Sequence, residues 1–311
     1  MQKSYAEEET DTQLETEDEE SGEDFSSEDE VETGLDEAEE TDEISVEDAD
    51  SIGDGSSEAD VDEIEFSDEE VMDEAGAREG SCGENVKYHW DGESTLTISG
   101  TGDMYDYNAG YNNDPEWKDF PVEKFVIEDG VTSVGNSVFF ECNTLKEIEI
   151  PGVISIGKWA FYKCTSLKKA DLPRTETIGD YAFAGCSNLE AVDAPEAETI
   201  GICAFEYTGL KTIKIPQVKI IGEEAFRSES DLEKIVLPTT LTEIGKRAFW
   251  NCTSLKIVFF RSYIAPNFAY EAFKEIDGAI FYYPAYSRWP ASIRTSDAFG
   301  SRGISWESYS R

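Results

Sequence analysis

The feature that most constrains this chain is a glycine, preceded by Val or Ile, that returns at Gly135, Gly157, Gly179, Gly201, Gly222 and Gly245. The steps are 22, 22, 22, 21 and 23 residues. Its surroundings return with it: Ile156-Gly157 is followed by Ala160-Phe161, Cys164, Leu167, Ala170, Leu172 and Pro173, and Ile178-Gly179 by Ala182-Phe183, Cys186, Leu189, Val192, Ala194 and Pro195. A unit this short cannot bury its own apolar face. Successive units must therefore stack into a solenoid with one shared core.

Within a unit, Leu145 to Pro151 reads as a short strand, with Ile148 and Ile150 inward, Glu149 outward and Pro151 ending the run. Gly157 is expected to supply a positive backbone φ, and Ala160-Phe161 to turn a short helical segment inward. Phe139, Phe161, Phe183, Phe205, Phe226 and Phe249 then form a stacked spine, with Leu145, Leu167, Leu189, Leu210, Leu232 and Leu255 beside it. The sharper alternative, an aromatic cofactor box, needs no such regular column.

A period near 22 lies in the range of leucine-rich repeats, whose coils each supply one strand and one tighter segment. The expected fold is a leucine-rich-repeat solenoid, α/β horseshoe-like, of short strands and short helical turns. It runs from 120 to 283 in seven to eight coils, starting from Val122, Phe125 and Ile127 and ending on a degraded coil with Ala272-Phe273 and Ile280 to Pro284. Both open ends need shielding. Residues 81–119, where Asp91-Gly92 signals a hairpin, and 284–311, with Trp289, Phe299, Ile304 and Trp306, are expected to be caps.

Residues 1–80 carry 36 Asp and Glu against Lys3 and Arg78, most of the chain's net charge of -44. So little apolar surface cannot offset ordering entropy, and the segment is expected to be a disordered acidic tail. Such a tail is a solvated spacer, or it attracts cations and basic proteins diffusely, and it repels nucleic acid and anionic membranes. No run is long and apolar enough to span a bilayer, so membrane insertion is not expected. Ser4-Tyr5-Ala6 has the small-x-small spacing of a cleavage site, as if left by a removed signal peptide.

The unit Ile-Gly-x-x-Ala-Phe-x-x-Cys-x-x-Leu, the following Ile-x-Ile-Pro, and the head Cys82-Gly83-Glu84-Asn85 with Thr95 to Gly102 and Met104-Tyr105-Asp106-Tyr107 resemble the BspA-like family of leucine-rich-repeat proteins. The resemblance covers 81 to about 284. It implies a bacterial surface or secreted protein that adheres to host or partner proteins. Departures are Glu229 at the Cys position, Ala194 at an Ile position, and the fourth repeat, Phe205 to Leu210, one residue short.

Cys142, Cys164, Cys186 and Cys252 share one repeat position and are expected to be buried structural thiols, with bridges along the stack open on spacing alone. Cys82 and Cys203 are expected to be free. The chain has no Cys/His cluster for zinc, no phosphate-binding glycine loop and no basic stripe for nucleic acid, so no metal, cofactor or nucleic-acid partner is expected. Asp48, Asp50, Gly53 and Asp54 resemble a calcium loop, but Ile52 takes a ligand position and Ala59 replaces the terminal Glu. His89, the only histidine, lies in the hairpin without a companion nucleophile.

Function is therefore expected on what varies between coils. The outward strand column reads Val126, Glu149, Asp171, Asp193, Lys214, Val236 and Phe259. Three adjacent carboxylates repel, so either lysines nearby (Lys146, Lys168, Lys169) or a cationic ligand must compensate. Glu149, Asp171, Asp193 and Lys214 are the candidate partner-binding set. Phe140, Trp159, Tyr162 and Tyr181 are a second candidate patch, or else cover the core edge. The expected function is a non-catalytic protein-binding or adhesion module whose partner is a host, neighbouring-cell or matrix protein. The alternatives are a targeting or glycan-binding domain of a wall-active enzyme, and an acidic buffer acting through the tail.

Overall fold

The computed structural model describes residues 76–108, 113–295 and 297–310. The acidic segment up to residue 75, with the calcium-loop look-alike and Ser4-Tyr5-Ala6, lies outside the described residues. After an antiparallel head that begins at Arg78, the chain forms a solenoid of stacked coils, joined to one another by backbone hydrogen bonds on three sides.

The first side carries the expected strands: Lys124–Ile127, Glu147–Glu149, Lys169–Asp171, Ala191–Asp193, Thr212–Lys214, Lys234–Leu237, Ile257–Phe260 and Ile280–Pro284. Neighbours run parallel and in register, so Lys169, Ala191 and Thr212 lie level, as do Asp171, Asp193 and Lys214. This side is split into three sheets. Glu147–Glu149 does not pair with Lys169–Asp171, nor Thr212–Lys214 with Lys234–Leu237. The second side is an unbroken eight-stranded ladder of short strands, from Gly102–Asp103 to Asn267–Phe268.

On the third side the sequence suggested short helices, and the structure corrects this. At the Ala-Phe segments the amides divide between two tasks. Phe161, Phe183, Phe205, Phe226 and Phe249 donate to the Ala carbonyl of the next coil, each at 2.8 Å. Intervening amides bond locally three residues back, as Ala160 does to Gly157 at 3.3 Å and Tyr162 to Trp159 at 3.2 Å. A positive φ just before each Ala, at Trp159 (56°), Tyr181 (55°), Cys203 (51°), Glu224 (53°) and Arg247 (54°), breaks any right-handed helical run. Among the described residues, helix is confined to 3₁₀ turns at Ala291–Ile293 and Ala298–Gly300.

The repeated glycine is thus not the left-handed residue it was expected to be; that conformation falls two residues later. Glycine is required there because the coils approach too closely for a side chain. A Cβ on Gly179 would lie 2.8 Å from the Gly157 carbonyl carbon and the Ile156 oxygen, and one on Gly222 would lie 2.6 Å from Gly201. Both are fixed backbone, with no room to yield.

The spine forms as expected and extends one ring further. From Phe139 to Phe273 successive rings are nearly parallel, with centroids 4.9 to 5.8 Å apart. The Leu column is fully buried beside it. This spacing is the coil rise, close to the roughly 4.8 Å between hydrogen-bonded strands, so the rings stack because the backbones do.

The ends are less separate from the solenoid than expected. Arg78–Ser81 is already a strand, antiparallel to Val86–Trp90, so order begins before residue 81. Asp91 accepts the amides of Glu93, Ser94 and Thr95 to close the predicted hairpin. Its second strand, Thr95–Gly100, pairs parallel with Lys124–Ile127. At the other end Ser305–Tyr309 adds a parallel strand to Ile280–Pro284. Both segments shield the core by continuing its ladders. Trp289 against Phe260 (4.8 Å), Phe299 against Phe268 (4.0 Å) and Trp306 against Phe281 (5.0 Å) close the apolar end.

The shortened fourth repeat has a specific remedy. Glu229, at the position where other coils have Cys, is fully buried. It accepts the Thr208 amide (2.8 Å), the Thr208 hydroxyl (2.7 Å) and the Leu210 amide (3.1 Å) of the coil that lost a residue. Burial raises its carboxyl from 4.5 to about 7, against these hydrogen bonds, which favour the ionised form. With the folded value above the unfolded one, this group's contribution to stability is fully present below about pH 4.5 and is lost as pH rises through about 7. We predict that wild type loses about 3 kcal/mol at most relative to Glu229→Gln between pH 4.5 and 8, read from urea titrations at each pH. Parallel pH profiles for the two proteins would contradict this.

Candidate functional site

Strand alternation gives each coil one inward and flanking outward side chains on the first side, and the core uses only the inward ones. Ile148, Ala170, Val192, Ile235 and Val258 are buried. The outward residues are free to vary.

In the early coils the outward charges are paired with each other. Lys124 reaches Glu149 at 2.6 Å, Lys169 reaches Asp171 at 2.7 Å and Lys214 reaches Asp193 at 2.6 Å. The Lys124 ammonium holds the Glu149 carboxyl below its ordinary range, and the Asp193 carboxylate raises Lys214 above its own. The structure therefore brings Asp171, Asp193 and Lys214 level on adjacent strands, with Glu149 on the neighbouring sheet, and gives each a partner. Lysine neutralisation was expected, but only Lys169 was correctly identified for it. Lys146 pairs instead with Glu123 at 2.6 Å. Lys124 was missed because its partner is 25 residues away and offset along the strand. Alignment of the repeats by strand position would have shown it.

In the later coils the same face turns apolar. Val236, Ile257, Phe259, Ile280, Tyr282 and Tyr309 are all partly exposed. Phe259 lies 5.6 Å from Tyr282 and 4.4 Å from Tyr309. Between the two parts, where Thr212–Lys214 and Lys234–Leu237 do not pair, a groove of about 390 Å³ opens.

The aromatic patch resolves into two pairs. Phe140 stacks on Tyr162 at 4.9 Å, and Trp159 lies against Tyr181 at 6.0 Å. Lys163 covers Tyr162 and Lys158 covers Trp159. All four rings are half-buried at the core edge. Further along this side runs a chain of ion pairs that was not anticipated: Glu206, Arg227, Glu224, Arg247, Glu271 and Lys274, with contacts of 2.7 to 3.9 Å. Hydrogen bonding from Arg247 brings the Glu271 carboxyl down to about 2. Trp250 sits among Arg227, Arg247 and Lys274.

Cys203, Glu206 and Glu224 form the grouping with metal-ligating potential among the described residues, their ligand atoms within 4.8 Å of one another. The Arg227 guanidinium lies 3.0 Å from Glu206 and 2.9 Å from Glu224, and supplies a positive charge between those carboxylates. Burial pushes the Cys203 thiol up to about 12. His89 is exposed on the hairpin. No described helix is long and apolar enough to cross a membrane.

The repeated cysteines have a structural task. Cys164, Cys186 and Cys252 donate to the carbonyls of Phe139, Phe161 and Phe226 in the preceding coil, at 3.1, 3.0 and 3.0 Å. Burial raises the Cys164 and Cys252 thiols and lifts Cys82 to about 12. All six cysteines are free, and five are buried. A thiol reagent at pH 8 should therefore label Cys142 quickly, and the other five only with denaturant. Rapid labelling of three or more in the native protein would contradict this burial.

The chain matches the family model described as a BspA type leucine rich repeat region, with six copies, over residues 116–228 and 168–280. It is similar to the crystal structure of a leucine rich cell surface protein from Faecalibacterium prausnitzii A2-165, at 21% identity over 66% of this chain and 70% of that one, TM-score 0.46. It is also similar to a leucine rich repeat protein of T. pallidum (19% identity, 64% and 85% covered, TM-score 0.36) and to the pneumococcal vaccine antigen PcpA (13% identity, 73% and 98% covered, TM-score 0.32). No curated protein matches the chain.

Proposed function

The chain belongs to the BspA-type leucine-rich-repeat family, and on that premise we propose that it is a non-catalytic binding module, secreted or held at a cell surface, whose strand face engages a host, neighbouring-cell or matrix protein. The observation that carries this reading is the division of labour on the first side. Inward residues are consumed by the core, whereas the outward ones change from coil to coil over an otherwise repeated frame. A surface of constant geometry and variable chemistry suits recognition better than catalysis.

Glu149, Asp171, Asp193 and Lys214 contribute to that face as paired charges, which set register and disfavour wrong partners more than they add affinity. Phe140, Trp159, Tyr162 and Tyr181 serve mainly to cover the core edge, because their rings are already matched with each other and with lysines.

Two sets of substitutions in the full chain test this, by quantitative pull-down against extracellular host proteins. Glu149→Lys, Asp171→Lys, Asp193→Lys and Phe259→Glu together should lower capture of the bound protein about tenfold or more, consistent with loss of central contacts. Phe140→Ser with Tyr162→Ser should leave it within about twofold, as expected away from the contact region. The reverse pattern would move the binding face to the aromatic turns and overturn the proposal.

A further inference from the structure

The groove on the strand face exposes a residue that the fold would otherwise bury. Ile213 occupies the inward position of Thr212–Lys214, level with Val192, which is 2% exposed. Ile213 is nevertheless partly open to solvent. The strand that should cover it, Lys234–Leu237, belongs to a different sheet. Val236 and Pro238 complete an aliphatic lining, and Arg261 stands on the rim.

Its lining differs in charge from that of the groove of about 550 Å³ at the other break in the strand side, where Glu147, Glu149 and Asp171 stand beside Lys146, Lys168 and Lys169, whereas here Lys214 and Arg261 line the groove with no carboxylate. The acidic column of the early coils is neutralised internally, and Lys214 is held by Asp193. Arg261 on the groove, and Lys234 two residues before Val236 on the same side of its strand, are exposed and form no ion pair with any described residue. Cations without an ion-pair partner among the described residues, beside an uncovered aliphatic pocket, call for an occupant that carries both an apolar group and carboxylates. Phe259 and Tyr282, level with Val236 on the next two strands, extend the apolar surface away from the groove.

Resting on the strand-face reading above, we infer that this groove is the specificity-determining part of the face, and that it takes an extended protein segment which inserts an apolar side chain over Ile213 and Val236 and sets acidic residues against Lys234 and Arg261. The apolar part of the lining is aliphatic, with no aromatic ring for the flat face of a neutral sugar, so it favours a branched or aromatic side chain of a peptide. Lys234 and Arg261 favour acidic flanks over basic ones.

A random dodecapeptide display library, selected at 0.15 M salt in parallel on the full chain and on its Val236→Glu/Arg261→Glu variant, tests this. The expected result is a set of sequences enriched on wild type alone, with a Leu, Ile, Phe or Trp next to Asp or Glu. Synthetic versions should bind the variant at least tenfold more weakly in fluorescence anisotropy. Arg261→Gln alone, a milder change at an exposed site, should weaken them in the same direction, which guards against misfolding of the double variant.

Identical enrichment on both baits, wild-type-specific sequences that are basic, or wild-type-specific binding of an acidic polysaccharide with none of the acidic peptides would each overturn the groove's assignment. The wider reading stands or falls separately. Pull-down lost with the four strand-face substitutions but unchanged by Val236→Glu/Arg261→Glu would remove the groove and keep the face.

Discussion

Everything else in this solenoid depends on backbone hydrogen bonding from coil to coil. The two strand ladders and the Ala-Phe turns all spend amides on the next coil, which fixes the rise near the spacing of paired strands. At that rise only glycine fits where Gly179 and Gly222 pass beneath the preceding coil. Side chains on the axis can only stack, so one phenylalanine per coil makes a continuous spine. Three of the repeated cysteines follow from the same constraint, the Cys164, Cys186 and Cys252 thiols each satisfying a Phe carbonyl one coil away. Repetition in the sequence records a repeated set of backbone demands.

The departures from repetition are informative for the same reason. One residue is missing in the fourth repeat and one is gained in the fifth, and the strand side is unpaired between them. Amides released by the short coil are recovered by Glu229, an expensive residue to bury without partners. Glu229 repairs the core side of the defect. On the outer side the groove over Ile213 remains open.

Much of the fold could be read directly from residue types. The Phe and Leu columns, the period-two strands, the hairpin at Asp91-Gly92 and the closing tryptophans are local patterns whose burial follows from composition and spacing. The role of the repeated glycine was not legible, because a tight turn and a close approach leave the same letter in the sequence. The turn side was misread as helical because Ala-Phe spacing cannot show that alternate amides leave for the next coil. The candidate face was half legible: its outward column follows from alternation, but Lys124 as the partner of Glu149, the charge chain from Glu206 to Lys274 and the groove all depend on contacts between coils.

Amide hydrogen exchange, resolved to single residues, tests the stacking scheme most directly. If three ladders hold the coils, the amides of Phe161, Phe183, Phe205 and Phe226 exchange as slowly as those of Val192 and Ile235 in the strands, because each is bonded across coils. Fast exchange at these phenylalanines, with protection confined to the two strand sides, would contradict it.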